Sequence, residues 1–155
     1  MPGYFSDYNI DIATDDAPTA TAISENVIDL GPSATNALRC LPGPKQQYVE
    51  IYVGETVTSG TGGSTVTFSL ESDSTANLAT SATVHASSAA IVKTALTVGT
   101  YVYLDVPAEQ TYERYLGVRY TNSANLTAGK FTVRLVENKA IGNILTYASG
   151  KLAPE

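Results

Sequence analysis

Residues 47–53, Gln-Tyr-Val-Glu-Ile-Tyr-Val, decide the fold class of this chain. A β-strand sends successive side chains to opposite faces, so Val49, Ile51 and Val53 share one face while Tyr48, Glu50 and Tyr52 share the other. The same alternation returns along the chain. In 65–71, Val66, Phe68 and Leu70 oppose Thr65, Thr67, Ser69 and Glu71. In 101–106, Val102, Leu104 and Val106 oppose Tyr101, Tyr103 and Asp105, and in 130–135, Phe131, Val133 and Leu135 oppose Lys130, Thr132 and Arg134. Each stretch has the pattern of a half-buried strand. Residues 115–121 add another, and 19–24, 26–30 and 90–96 bring the expected total to about eight.

No segment keeps an apolar period of 3.6 residues between helix caps, so a helical fold is not expected. Turn-forming residues fall between the strands: Gly31-Pro32, Leu41-Pro42-Gly43-Pro44, Val98-Gly99-Thr100 and Thr127-Ala128-Gly129. The stretch Ser59-Gly60-Thr61-Gly62-Gly63-Ser64 lacks the Gly-Lys-Ser/Thr ending of a phosphate loop and opens no helix, so it reads as the tip of a long hairpin. Together these features predict an all-β protein, an antiparallel two-sheet sandwich or jelly roll of about eight strands. Residues 1–18 mix Tyr4, Phe5, Tyr8 and Ile10 with Asp7, Asp11, Asp15 and Asp16 and show no clear strand pattern, so they read as an extended arm. Residues 19–137 form the jelly-roll domain, and 138–155 form a C-terminal tail with Ile141, Ile144, Leu145 and Tyr147 spaced among small residues.

At 155 residues the chain is long enough to bury a core without a covalent staple, and its lone cysteine, Cys40, cannot close an internal disulfide. The first residues lack the basic and apolar regions of a signal peptide, which predicts synthesis in the cytoplasm. No apolar run approaches the roughly 20 residues of a membrane helix, so no membrane partner is expected. With 15 acidic against 9 basic residues, a net charge of −6 and no basic cluster, the chain is poorly suited to nucleic acid.

Catalytic and metal chemistry find little support. The single histidine, His85, lies in Ala-Thr-Val-His-Ala-Ser-Ser with no Gly-x-Ser-x-Gly elbow, and it reads as an ordinary strand or loop residue. One His and one Cys far apart cannot assemble a tetrahedral zinc site. The acids at 7, 11, 15 and 16 lack the Gly and the closing Glu of an EF-hand loop. The sequon Asn125-Leu126-Thr127 carries no weight in a chain expected to stay in the cytoplasm. No enzymatic role and no cofactor are therefore expected. One constellation stands out: Tyr48, Tyr52, Tyr101, Tyr103 and Tyr115, with Arg119 and Arg134, occupy the faces opposite the aliphatic positions. Tyrosine and arginine are enriched at protein interfaces because each combines a large contact area with a polar end, although tyrosines also serve simply to shield the outer surface of a sheet.

Several blocks occur in an order that resembles the jelly-roll capsid cement, or decoration, proteins of tailed bacteriophages. They begin with Phe5-Ser6-Asp7 and with 19–31, Thr-Ala-Thr-Ala-Ile-Ser-Glu-Asn-Val-Ile-Asp-Leu-Gly. They continue through 48–53, 62–72, 98–100, Tyr112-Glu113-Arg114-Tyr115-Leu116-Gly117-Val118-Arg119-Tyr120, and 126–133. The resemblance implies a structural virion protein that sits on the outer capsid surface and bridges neighbouring copies of a major capsid protein, with no catalytic residues. The tail after Glu137 lies beyond the blocks that carry the resemblance, but extended apolar segments suit such a role. The arm residues Tyr4, Phe5, Tyr8 and Ile10 and the tail residues Ile141, Ile144, Leu145 and Tyr147 are therefore expected, with the tyrosine faces, to make capsid or intersubunit contacts. Self-association as a dimer or trimer is expected from those faces. A carbohydrate- or receptor-binding sandwich is the competing expectation, although sugar platforms favour tryptophan and the chain has none. A hydrolase on the same fold and a fibre or head-completion protein are weaker alternatives.

Overall fold

The computed structural model describes residues 11–31, 47–79, 81–107 and 110–137. The strands in them are β1 (Asp11–Asp16), β2 (Ala22–Ile23), β3 (Ile28–Asp29), β4 (Gln47–Thr58), β5 (Thr65–Asp73), β6 (Thr83–Ser87), β7 (Ile91–Val92), β8 (Tyr101–Val106), β9 (Tyr115–Asn122) and β10 (Ala128–Val136). A 3₁₀ turn, Lys93–Ala95, follows β7. One sheet has the order β1-β10-β4-β8. The other has the order β2-β9-β5-β6, with β3 beside β9 and β7 beside β5. Every pairing is antiparallel. The protein is an all-β, two-sheet sandwich, as the alternation predicts.

The inward faces meet in one apolar cluster. Val49, Ile51, Val53 and Val57 of β4 and Phe131 and Val133 of β10 face Val66, Phe68 and Leu70 of β5 and Leu116, Val118 and Tyr120 of β9. At its centre three rings pack together: Phe131 lies 5.2 Å from Phe68, nearly perpendicular, and 5.4 Å from Tyr120, nearly parallel. Burial is the main force here, since each large side chain removed from water contributes roughly 1.5–3 kcal/mol.

Two core tyrosines carry a consequence for alkaline pH. Burial pushes the Tyr112 phenol up to about 12, and burial, reinforced by the nearby Asp16 carboxylate, also pushes up that of Tyr120. An unfolded tyrosine ionises near pH 10, so the stability these neutral phenols confer is present below that pH and is lost as the pH rises above it. Spectrophotometric titration of the folded protein is expected to show Tyr112 and Tyr120 resisting ionisation until the fold is lost. A titration in which both ionise near pH 10 without unfolding would contradict this placement.

Several expectations change. Residues 11–16, read as part of an arm, form the edge strand β1, paired to β10 through Asp11↔Arg134, Ala13↔Val133 and Asp16↔Phe131. The register shifts twice along this pairing, Ile12 and Ala13 are both buried, and Asp15 has a φ of 53°, so the period of two is broken. The glycine-rich stretch is not a hairpin tip. Because β4 and β5 lie in different sheets, it carries the chain around a corner from one sheet to the other. There Gly63 takes a φ of 71°, and the Lys93 ammonium donates to the carbonyls of Ser59 and Thr61 at 2.7 and 2.9 Å. The strand expected over 90–96 stops at Val92, since Leu96 N–H turns back to the Lys93 carbonyl. Those expected over 19–24 and 26–30 shrink to two residues each, and β6 is a strand the sequence reading did not contain.

Candidate functional site

The outer face of the first sheet gathers five of the residues singled out in the sequence. The unbroken antiparallel pairing of β4 with β8 sets Tyr52 across from Tyr101, Glu50 across from Tyr103 and Tyr48 across from Asp105. The rings form a continuous run: Tyr52 is 5.0 Å from Tyr101, Tyr101 stacks on Tyr103 at 6.2 Å with planes 8° apart, and Tyr103 meets Tyr48 edge-on at 6.4 Å. All four are half-buried, so each ring packs on the sheet and still presents surface. The Tyr103 hydroxyl donates to the Glu50 carboxylate at 3.0 Å, which fixes both side chains. Beyond Glu50, Arg134 of β10 sits with its Nε 3.1 Å from the Asp11 carboxylate of β1. A row of polar side chains, Asp11, Arg134, Glu50 and Tyr103, therefore crosses all four strands.

Charge on this face is uneven. Among the described residues its acids are Asp11, Asp15, the buried Glu50, Glu55 and Asp105, and its bases are Lys130 and Arg134. Each base already faces an acid, Arg134 with Asp11 and Lys130 with Glu55 at 3.7 Å. Asp105 is exposed, and the Asp15 carboxylate stands over Gly54 beside the Tyr52 ring, where a glycine Cβ would come within 3.3 Å of it. The sequence reading named the tyrosines and Arg134 but passed over Glu50 and Asp105. Their signal was available, because both alternate in phase with the tyrosines.

Tyr115 and Arg119 belong to the other sheet and do not join this surface. The Arg119 guanidinium is 2.8 Å from the Glu71 carboxylate and donates to the Leu78 carbonyl at 2.7 Å. This pair lies beneath the segment after β5, whose Leu78 is 1% exposed and sits over Gly117; a Cβ there would come within 2.9 Å of Leu78 and of Val27. Tyr115 lies under the guanidinium of Arg114, 5.0 Å from the ring centre, and Arg114 grips Asp29 of β3 through two bonds of 3.0 and 2.8 Å. The remaining candidates, Tyr4, Phe5, Tyr8, Ile10, Ile141, Ile144, Leu145 and Tyr147, lie outside the described residues, as does Cys40.

The Arg114 guanidinium, and then the Gly31 N–H, hold the Asp29 carboxyl below the usual carboxylate range. Its folded pKa is thus lower than its unfolded one, so its contribution is present above pH ~4 and is lost as the pH falls through the folded value. Asp29→Asn is expected to lower stability at neutral pH slightly, and the difference from the parent should vanish in acid. Denaturant titrations at a series of pH values check this. A difference that grows in acid would contradict it.

His85 lies in a bonded chain that invites a catalytic reading. Its Nε2 is 2.7 Å from Ser72 Oγ and its Nδ1 is 2.7 Å from Gln110 Oε1, with the ring tilted by 32° against that of Tyr112 at 4.1 Å. Ser72 is completely buried and its hydroxyl also accepts the Glu113 N–H at 2.9 Å. In this geometry the hydroxyl is enclosed and occupied, and the chain of bonds fastens β5, β6 and residues 110–113 together. Among the described residues no group of three or more His, Cys, Asp or Glu side chains could hold a metal ion, and no helix is long and apolar enough to cross a membrane.

An antiparallel sandwich with one outer face of packed tyrosines and carboxylates defines a class: an all-β protein whose distinctive chemistry is laid out on the outer face of a sheet. The Bbp16 family profile matches residues 12–135, from β1 into β10 and across both sheets. The chain belongs to the Bbp16 family. A search of curated proteins finds no match.

Proposed function

We propose that this protein is a structural component of a tailed-bacteriophage virion that binds the outer capsid surface and cements neighbouring major capsid protein subunits. The observation that carries the reading is the tyrosine face of the first sheet, ordered by ring packing and by the Tyr103–Glu50 bond. Pre-ordered aromatic side chains lose little entropy on contact, which makes them effective anchors of an interface. The resemblance of the colinear blocks to those of cement proteins is in keeping with the same reading. Many copies of a modest interface resist outward pressure well, because attachment at several points multiplies weak contacts. On this account the chain makes no use of cofactors and is found on the virion exterior after synthesis in the host cytoplasm. Its partner is the major capsid protein, with self-association bringing copies together.

Quantitative mass spectrometry of purified particles tests this. Abundance approaching that of the capsid protein is expected, whereas a few copies per particle would point to a fibre or head-completion role. The parallel planes of Tyr101 and Tyr103 also favour a second reading, a stacking platform for sugar rings or a receptor. Saturable binding on a glycan array, lost in Tyr101→Ser, would support that alternative.

A further inference from the structure

The tyrosine face has a chemistry that selects its partner. Across β4 and β8 the outward positions alternate ring and carboxylate: Tyr48 faces Asp105, Glu50 faces Tyr103, and Tyr52 faces Tyr101 with the Asp15 carboxylate beside it. The faces of aromatic rings carry negative quadrupole charge and attract cations, and nearby carboxylates strengthen that field. Among the described residues both bases of the surface face Asp11 and Glu55, so the negative charge of the exposed Asp105 and Asp15 near the rings exceeds what the described part of the face balances. The chain already uses the same contact internally, where Arg114 lies over the Tyr115 ring while its guanidinium grips Asp29.

We infer that the occupant of this face is a basic protein segment whose arginine or lysine side chains lie over Tyr101, Tyr103 and Tyr52 with their charged ends at the exposed carboxylates of Asp105 and Asp15. This rests on the reading of the face as the docking surface and adds the chemistry of what docks. A guanidinium suits the arrangement better than an ammonium, because it is planar, stacks on a ring and still presents donors at its edge to a carboxylate. A neutral apolar segment would leave those carboxylates desolvated without compensation, and an acidic one would be repelled.

The test uses the full chain, a short peptide of alternating arginine and serine, and its glutamate counterpart, with binding followed by the ring resonances of the tyrosines in NMR. The arginine peptide is expected to shift the Tyr52, Tyr101 and Tyr103 signals, and the glutamate peptide to leave them unmoved. Asp105→Asn and Tyr101→Leu should each weaken binding several-fold, while Tyr101→Phe, which keeps the ring face, should bind like the parent. Folding of each variant is read from its unperturbed core resonances. Equal response to both peptides, or shifts spread over the surface and insensitive to Tyr101→Leu, would overturn the inference. Particle decoration separates it from the reading beneath it. If Tyr52→Ser with Tyr103→Ser empties the capsid while Asp105→Arg does not, the face docks but not through cations. If neither changes occupancy, the docking reading itself falls.

Discussion

Phe131→Ala is expected to remove about 3–5 kcal/mol of folding stability. The ring is fully buried between the sheets and touches Phe68 and Tyr120, so its loss leaves a cavity that two large, rotamer-locked neighbours fill poorly. Total stability of a domain this size is about 5–15 kcal/mol, so the variant would lie close to the threshold of folding. Urea denaturation should show a much lower midpoint with an unchanged slope. Tyr101→Ala, on the outer face, should cost far less. A loss below ~1 kcal/mol for Phe131→Ala would mean that the sheets meet elsewhere.

Arg119→Ala is expected to cost about 3 kcal/mol, because Glu71 is left buried with its charge uncompensated and the Leu78 carbonyl loses its donor. The glutamate side chain is 6% exposed and the arginine 27%, which places most of the penalty on the glutamate that remains. Glu71→Leu combined with Arg119→Leu removes both charges and should recover much of the loss, since apolar replacements avoid the desolvation cost. If the double variant is no better than Arg119→Ala, the ion pair is not what the fold depends on at this position. A role of Arg119 in partner contact predicts something else, normal stability with lost binding.

The strands that carry the sandwich were legible because β4, β5, β8, β9 and β10 each bury one face and leave the other polar. Where the pattern misled, tertiary contacts had inverted it. In β6 the apolar Val84 is 55% exposed while His85 is buried against Ser72 and Tyr112, so its hydropathy points the wrong way. In β5, Ser69 and Glu71 are buried although they lie on the outward face; the segment bearing Leu78 and the Arg119 side chain accounts for the burial of Glu71. The candidate site was half legible. Alternation placed Tyr48, Tyr52, Tyr101 and Tyr103 on outward faces, but only the strand order could show that β4 and β8 are neighbours and that β9, with Tyr115 and Arg119, lies in the other sheet. Sequence distance hides such adjacency, because long-range pairing is not encoded in any local window.

One arrangement is expected above all: copies of this chain on the capsid exterior with the tyrosine face of β4 and β8 turned toward a basic surface of the major capsid protein. A density map of the intact particle measures this directly. The expected result is density for the sandwich at capsomer boundaries, with Tyr52, Tyr101 and Tyr103 buried against capsid arginine or lysine side chains. A particle whose exterior lacks the chain, or carries it with that face open to solvent, would contradict the account.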